Sequence, residues 1–136
     1  MSVTRFTEKI GTCKKAKKIG GIALKVFDRR EALARLSDDA KILDEILTLF
    51  HQHHEEMLTD LRQAFKKKNC ENIRASAHSI KGALANVSAK VAWKTATLLE
   101  QSARENDLEK AGQLMHRLEK HIAKFISVTS NYLVEG

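Results

Sequence analysis

Between residues 42 and 132 apolar side chains return at intervals of three and four, the spacing that puts them on one face of an α-helix. No proline interrupts the pattern anywhere in the 136 residues. Ile42, Leu43, Ile46, Leu49 and Phe50 form a first stripe, and Met57, Leu58, Leu61, Ala64 and Phe65 repeat its intervals. The two stripes stay in phase, so the periodicity allows one helix from about 39 to 67, with HQHHEE (His51 to Glu56) as the favoured place for a break or kink. Further stripes follow at Ile73, Ala77, Ile80, Leu84 and Val87, at Ala92, Ala96, Leu99 and Ala103, and from Leu108 through Ala111, Met115, Leu118, Ile122, Phe125 and Thr129 to Tyr132. The small residues of the Ala92 stripe permit close approach to a neighbour.

Polar residues punctuate these stripes where helices begin and end. Asp28 with Glu31 has the form of a capping box opening a short helix through Ala32, Leu33 and Leu36, and Ser37-Asp38-Asp39 starts the next. Lys66, Lys67 and Lys68 suit a helix C-terminus, where cations meet the negative end of the backbone dipole. Asn69 can cap the following helix, and Asn106 with Glu109 forms a second box. Four long amphipathic helices joined by short connections predict an all-α fold, an antiparallel four-helix bundle preceded by one or two short N-terminal helices. With aromatics at only 5%, aliphatic residues must build its core.

The charge is unevenly spread. Residues 1–30 hold nine Lys and Arg against Glu8 and Asp28, whereas residues 31–136 hold 15 of each sign, so the whole excess of +7 belongs to the leading segment. The run KKAKK (Lys14 to Lys18) and Gly20-Gly21 offer no face long enough to pack. Residues 1–21 therefore read as a basic, mobile arm and residues 22–136 as the bundle domain. The balanced domain disfavours nucleic acid as a partner, although the arm keeps a nucleic-acid-binding helical protein as a weaker alternative. No apolar run approaches the roughly 18 residues of a membrane span, and no secretory signal opens the chain, so a soluble, cytoplasmic protein is expected. Cys13 and Cys70 are far apart and lack a second pair, which suits free thiols in a reducing compartment.

Enzyme signatures are missing: there is no Walker A sequence, G-x-G-x-x-G, G-x-S-x-G, H-E-x-x-H or EF-hand loop. His51 with His54 or Glu55 can share a helix face and catch a divalent metal, but a solvated helix end is the better reading because no fourth ligand is predictable. His116 and His121 flank core positions of the last helix, where partial burial or exposure explains both. His78 differs. It lies one step from the Ala77 and Ile80 stripe, with Arg74, Lys81 and Gly82 on the same face. Exposed imidazole is a good nucleophile near neutral pH, Arg74 and Lys81 can offset charge on phosphoryl oxygens, and Gly82 leaves room for an approaching surface. On spacing alone, an ordinary surface His beside a packing Gly remains open.

The sequence His78-Ser79-Ile80-Lys81-Gly82, followed by Asn86-Val87-Ser88-Ala89, resembles the signature of the histidine-containing phosphotransfer (HPt) family, His-x-hydrophobic-Lys-Gly and then Asn-hydrophobic-Gly-Ala. Asn69 stands where the family usually has an acidic cap, Phe50 and Leu61 match an upstream Phe and Leu, Leu99-Glu100 matches a Leu-Glu pair, and Asn106-Asp107 matches a polar turn. The similarity runs over about residues 28–130. Ser88 departs from the family Gly, and Glu55 stands where many members carry a helix-breaking Pro.

The resemblance implies a phosphocarrier rather than an enzyme, with no ATP-binding or kinase region. His78 takes a phosphoryl group from a receiver-domain aspartyl phosphate and passes it to the aspartate of another response regulator, with Lys81 and Gly82 at the site. Arg74, Ser79, Ala85 and Asn86 are candidate phosphoryl or partner contacts. The partners implied are receiver domains and a hybrid histidine kinase. The receiver supplies the divalent metal, so this chain is expected to need no cofactor. A variant reading keeps the fold but makes the protein an adaptor that docks receivers without carrying phosphate. Removal of residues 1–21 separates carrier from basic-arm binder: phosphotransfer from a loaded receiver should persist unchanged, and its loss would overturn the division at residue 22.

Overall fold

The computed structural model describes residues 18–19 and 22–135, with side chains from 24 to 131. Its elements are β1 (Lys18–Ile19), β2 (Ile22–Ala23), α1 (Arg29–Arg35), α2 (Ala40–Lys66), α3 (Cys70–Asn86), α4 (Lys90–Arg104) and α5 (Leu108–Glu135). The sequence reading of the four long helices and the short leading one holds, and α2 runs through HQHHEE without a break. A minimal antiparallel ladder, Lys18 opposite Ala23, straddles residue 22 and had no sequence signal. Most of the basic arm, Cys13 and the Tyr132 side chain lie outside the described residues.

α2 packs on α3 and α5, and α4 packs on the same two helices, so α3 and α5 face each other across a diagonal. Leu43, Leu47, Leu61, Ile73, Ile80, Leu84, Leu99, Leu118, Ile122 and Phe125 fill the interior. Two of the stripes need correcting. On α2, Ile42 and Leu49 are 41% and 55% exposed, while Leu47 is fully buried. On α5, Leu114 is buried, whereas Met115 is only partly so. The phase of a buried face is set by where the neighbours lie, and α2 has more apolar residues than its core-facing side can take. Ala92, Ala96 and Ala103 are buried, as the small-residue stripe of α4 predicts. At one end of the bundle Phe125 meets Phe27 and Phe50 edge-on, with ring centroids 5.6 and 5.3 Å away, which fastens the segment before α1 to the core.

The three turns between the long helices share one construction. Their middle residues, Lys68, Ser88 and Asn106, have φ of 54°, 52° and 59°. In each turn the middle and last residues donate backbone bonds into the preceding helix: Lys68 and Asn69 to Phe65 and Ala64, Ser88 and Ala89 to Ala85 and Leu84, and Asn106 and Asp107 to Ala103 and Ser102. The last residue then opens the next helix. The Asn69 side chain accepts from Asn72 N, as anticipated. For α5 the cap is Asp107, whose Oδ1 accepts from Lys110 N at 3.0 Å. The expected Asn106 box fails because the left-handed turn occupies Asn106.

Asp28 caps α1 by accepting from Glu31 N at 3.1 Å, but the reciprocal half of that capping box is absent. The Glu31 carboxylate instead accepts from Ser88 Oγ and Lys90 Nζ, each at 2.9 Å. Asp28 N donates to Ser88 O, Val91 N to Lys25 O, and Arg35 Nη1 to Ala85 O. The lead-in to α1 is thus clamped along the α3–α4 turn, and Ser88 sits buried at its centre. Lys90 holds Glu31 below the usual carboxylate range, against the opposing effect of burial and with help from Ser88.

Two opposing effects meet at Ser88: a left-handed backbone that glycine adopts more easily, and a hydroxyl bond that glycine lacks. Ser88→Ala, which keeps the strain and loses the bond, should destabilise the protein by about 1–2 kcal/mol in urea unfolding. Ser88→Gly should stay within about 1 kcal/mol of wild type. An alanine variant as stable as the glycine variant would refute this balance.

Candidate functional site

α3 is pinned at its start by Asn69 and buries Ile73, Ala77, Ile80 and Leu84. Its opposite side therefore faces outward. His78 stands there with its side chain 63% exposed, among exposed Ala75, Ser79, Gly82 and Asn86. A Cβ built on Gly82 would meet nothing within 4 Å, so packing inside this chain does not require glycine there.

The neighbouring helix supplies a carboxylate. Glu100 of α4 is only 4% exposed and gathers three cationic or ionisable groups: His78 Nδ1 lies 3.1 Å from Oε2, Arg104 Nη2 3.0 Å from the same oxygen, and Lys81 Nζ 2.7 Å from Oε1. Burial pushes the Glu100 carboxyl up, but the hydrogen bonds and charges of Lys81 and His78 outweigh it and the net shift is downward. Glu100 thus remains a carboxylate, which can only accept hydrogen bonds, so Nδ1 must donate. In the neutral ring this places the proton on Nδ1 and leaves the lone pair on Nε2.

The other residues singled out by the sequence fall around this centre. Lys81 is present but held by Glu100. Arg74 lies on the same face of α3, yet it pairs with Glu71 through contacts of 2.6 and 3.3 Å. That pairing raises the guanidinium pKa, with Glu100 adding to the effect. Ser79 borders a small cleft with Met57, Asp60, Ser76 and Ile80 on the α2 side. Ala85 is half-buried and its carbonyl is taken by Arg35. Asn86 lies at the edge of an open groove of about 430 Å³ that α1, α2 and α3 form, in which Leu36, Ile46, Leu49 and Met57 supply apolar surface.

Sequence reasoning assigned no role to Glu100 or Arg104. The available signal was Glu100 directly beside the core residue Leu99, a charge at the margin of a buried stripe. Arg104 is its local partner four residues on, but that it would also hold His78 and Lys81 depended on the packing of α3 against α4, which no local pattern encodes.

The histidine cluster of α2 disperses instead of converging. His51 Nε2 meets Thr129 Oγ1 of α5 at 2.7 Å, His54 Nδ1 meets the His51 carbonyl at 2.9 Å, and His53 faces Glu56. Burial, then the nearby His54, lowers the His51 pKa. His121 Nδ1 lies 2.9 Å from Thr95 Oγ1 and His116 is exposed. Among the described residues no group of three or more His, Cys, Asp or Glu side chains is arranged to hold a metal, and no helix is long and apolar enough to cross a membrane.

A sequence model of the family described as "Hpt domain" matches residues 45–127, which takes in His78, Lys81, Gly82, Glu100 and Arg104. The chain belongs to the Hpt domain family, whose members carry phosphoryl groups in phosphorelays and work with receiver domains and kinases. Among solved structures, histidine-containing phosphotransfer protein B (HptB) from Pseudomonas aeruginosa PAO1 is similar in fold, with a TM-score of 0.76 and 24% identity over 82% of this chain and 96% of that one. Comparison with curated proteins gives no match.

The ion cluster links stability to pH. A carboxyl whose pKa is lowered on folding contributes stability above its unfolded value and loses it as pH falls through the folded value. Glu100→Gln should destabilise the protein by about 1–3 kcal/mol near pH 7 and flatten the loss of stability on the acid side of the unfolded carboxylate range. Unfolding curves at several pH values test this. Parallel curves for wild type and variant would show that Glu100 contributes nothing to the linkage.

Proposed function

We propose that this protein is a phosphorelay intermediate in which His78 accepts a phosphoryl group from the aspartyl phosphate of a receiver domain and delivers it to the aspartate of another response regulator. The observation that carries this reading is the exposed His78 ring with Nδ1 tied to the buried Glu100 carboxylate, since that contact reserves Nε2 as the nucleophile. Nε2 attacks phosphorus, the P–O bond to the donor aspartate breaks, and its electron pair stays on the released carboxylate. The positive charge that develops on the ring is met by Glu100 through the Nδ1 proton. Return transfer reverses these steps at the acceptor aspartate, with the P–Nε2 electron pair going back to the ring.

Lys81 sits one turn from His78 with its ammonium on Glu100, close enough to turn toward an arriving phosphoryl group. The open space above Gly82 suits a partner surface that must come within bonding distance of Nε2. Arg74, Ser79, Ala85 and Asn86 border the same approach. A receiver domain brings its own acidic pocket and divalent metal, and a hybrid histidine kinase supplies the phosphate upstream. The chain has no nucleotide-binding sequence of its own, and this reading places the protein in the cytoplasm with residues 1–21 as an appended arm.

Incubation with a phosphorylated receiver and magnesium should add one acid-labile phosphoryl group, mapped to His78 by mass spectrometry. His78→Gln should keep the helical circular dichroism and lose acceptance by at least about a hundredfold, because the amide that replaces the imidazole is not a nucleophile. Equal phosphorylation of the variant would move the site to another residue and overturn the assignment.

A further inference from the structure

Resting on that reading, we propose that Arg104 is a positioning residue that sets how long a phosphoryl group survives on His78, by sharing Glu100 Oε2 with His78 Nδ1. Arg104 is the last residue of α4, four positions beyond Glu100, and its side chain is 55% exposed. Its Nη2 reaches the oxygen that accepts from the imidazole, while Lys81 occupies the other oxygen. The two contacts on Oε2 therefore compete for one concentration of negative charge. Arg104 also acts on Glu71, adding to the larger effect of Arg74 on that carboxyl, which fixes its position on the His78 side of the bundle.

The competition matters because of how a phosphoryl group leaves imidazole. When the P–Nε2 bond breaks, the electron pair returns to Nε2. With a proton on Nδ1 the departing ring is neutral imidazole; without it the ring leaves as an anion, a much poorer leaving group. Occupancy of Nδ1 by a proton thus governs both hydrolysis and onward transfer. A bare Glu100 carboxylate would hold that proton strongly and make the phosphoryl group short-lived. The Arg104 guanidinium weakens this hold, since it withdraws charge from the shared oxygen and adds a positive field beside the ring.

The other charged groups around this face are fixed by partners or lie to one side. Arg74 is paired with Glu71 on α3, Lys81 with Glu100, Arg35 of α1 bonds the Ala85 carbonyl, and Asp60 of α2 borders the cleft beside Ser79. Among them Arg104 alone shares the oxygen that holds Nδ1.

The test loads wild type, Arg104→Gln, Arg104→Glu and Arg104→Lys with phosphoramidate, a small phosphoryl donor that needs no receiver, and follows phosphohistidine loss by intact mass from about pH 6 to pH 9. Near pH 8 the Gln variant should lose phosphate about two- to fivefold faster than wild type, with its pH–rate profile displaced to higher pH. The Glu variant should be faster still, and the Lys variant, which keeps the charge, should follow wild type. Superimposed profiles for wild type and Gln would overturn the inference and leave the carrier reading standing. An acceleration of the same size at every pH would place Arg104 on the phosphoryl group itself and overturn the shared-oxygen mechanism. Failure of wild type to take up phosphate at His78 from phosphoramidate and from a phosphorylated receiver alike would overturn the carrier reading and the inference with it.

Discussion

One buried carboxylate organises the face of this protein where chemistry is available. Glu100 is withdrawn from water between α3 and α4, where an unpaired charge would cost several kcal/mol. Lys81 on one oxygen, and Arg104 and His78 on the other, offset that cost. Each partner is fixed in turn: the ring of an otherwise free surface histidine acquires a preferred tautomer, and the nearest lysine acquires a resting position. The packing of α3 on α4 and the state of His78 are therefore one problem, because the side chains that close the interface also define the imidazole.

The backbone of the bundle solves a different problem by repetition. Three turns of the same form let the chain reverse in three residues, each at the cost of one left-handed residue, and none of these residues is glycine. At Lys68 and Asn106 the side chain is exposed and the strain is local. At Ser88 the side chain is buried, and its hydroxyl joins Glu31 to the turn. Glu31 also receives Lys90, so the polar group that replaces the family glycine links α1, the turn and the start of α4. This arrangement keeps the turn geometry while adding a contact that glycine cannot make.

The helices were legible in the sequence because amphipathic periodicity and capping residues are local signals. Asp28, Asp39 and Asn69 cap where the pattern places them. What was missed depends on neighbours. The buried face of α2 is centred on Leu43, Leu47 and Phe50 because α3 and α5 lie there, and Leu49 is left exposed despite its place in an apolar stripe. Asp107 caps α5 instead of Asn106 because the turn needs a left-handed residue first. Of the candidate site, His78, Lys81 and Gly82 could be read from one helix. Glu100 and Arg104 form a local pair four residues apart on α4, but its place at the site could not be read, since Glu100 meets the His78 ring across 22 residues of chain.

The residues around His78 also show why glycine and alanine are placed on the exposed side of α3. A helix surface of long charged side chains would shield Nε2 and oblige a partner to displace them. Instead the exposed neighbours are Ala75, Ser79, Gly82 and Asn86, while the long cations Arg74 and Lys81 are drawn sideways by Glu71 and Glu100. Ion pairing thus serves access as well as stability: it holds positive charge beside the ring without covering it. The exposed Arg74–Glu71 pair contributes little to folding on its own. Its consequence here is geometric, since it leaves an open, weakly populated face with the His78 imidazole at its centre.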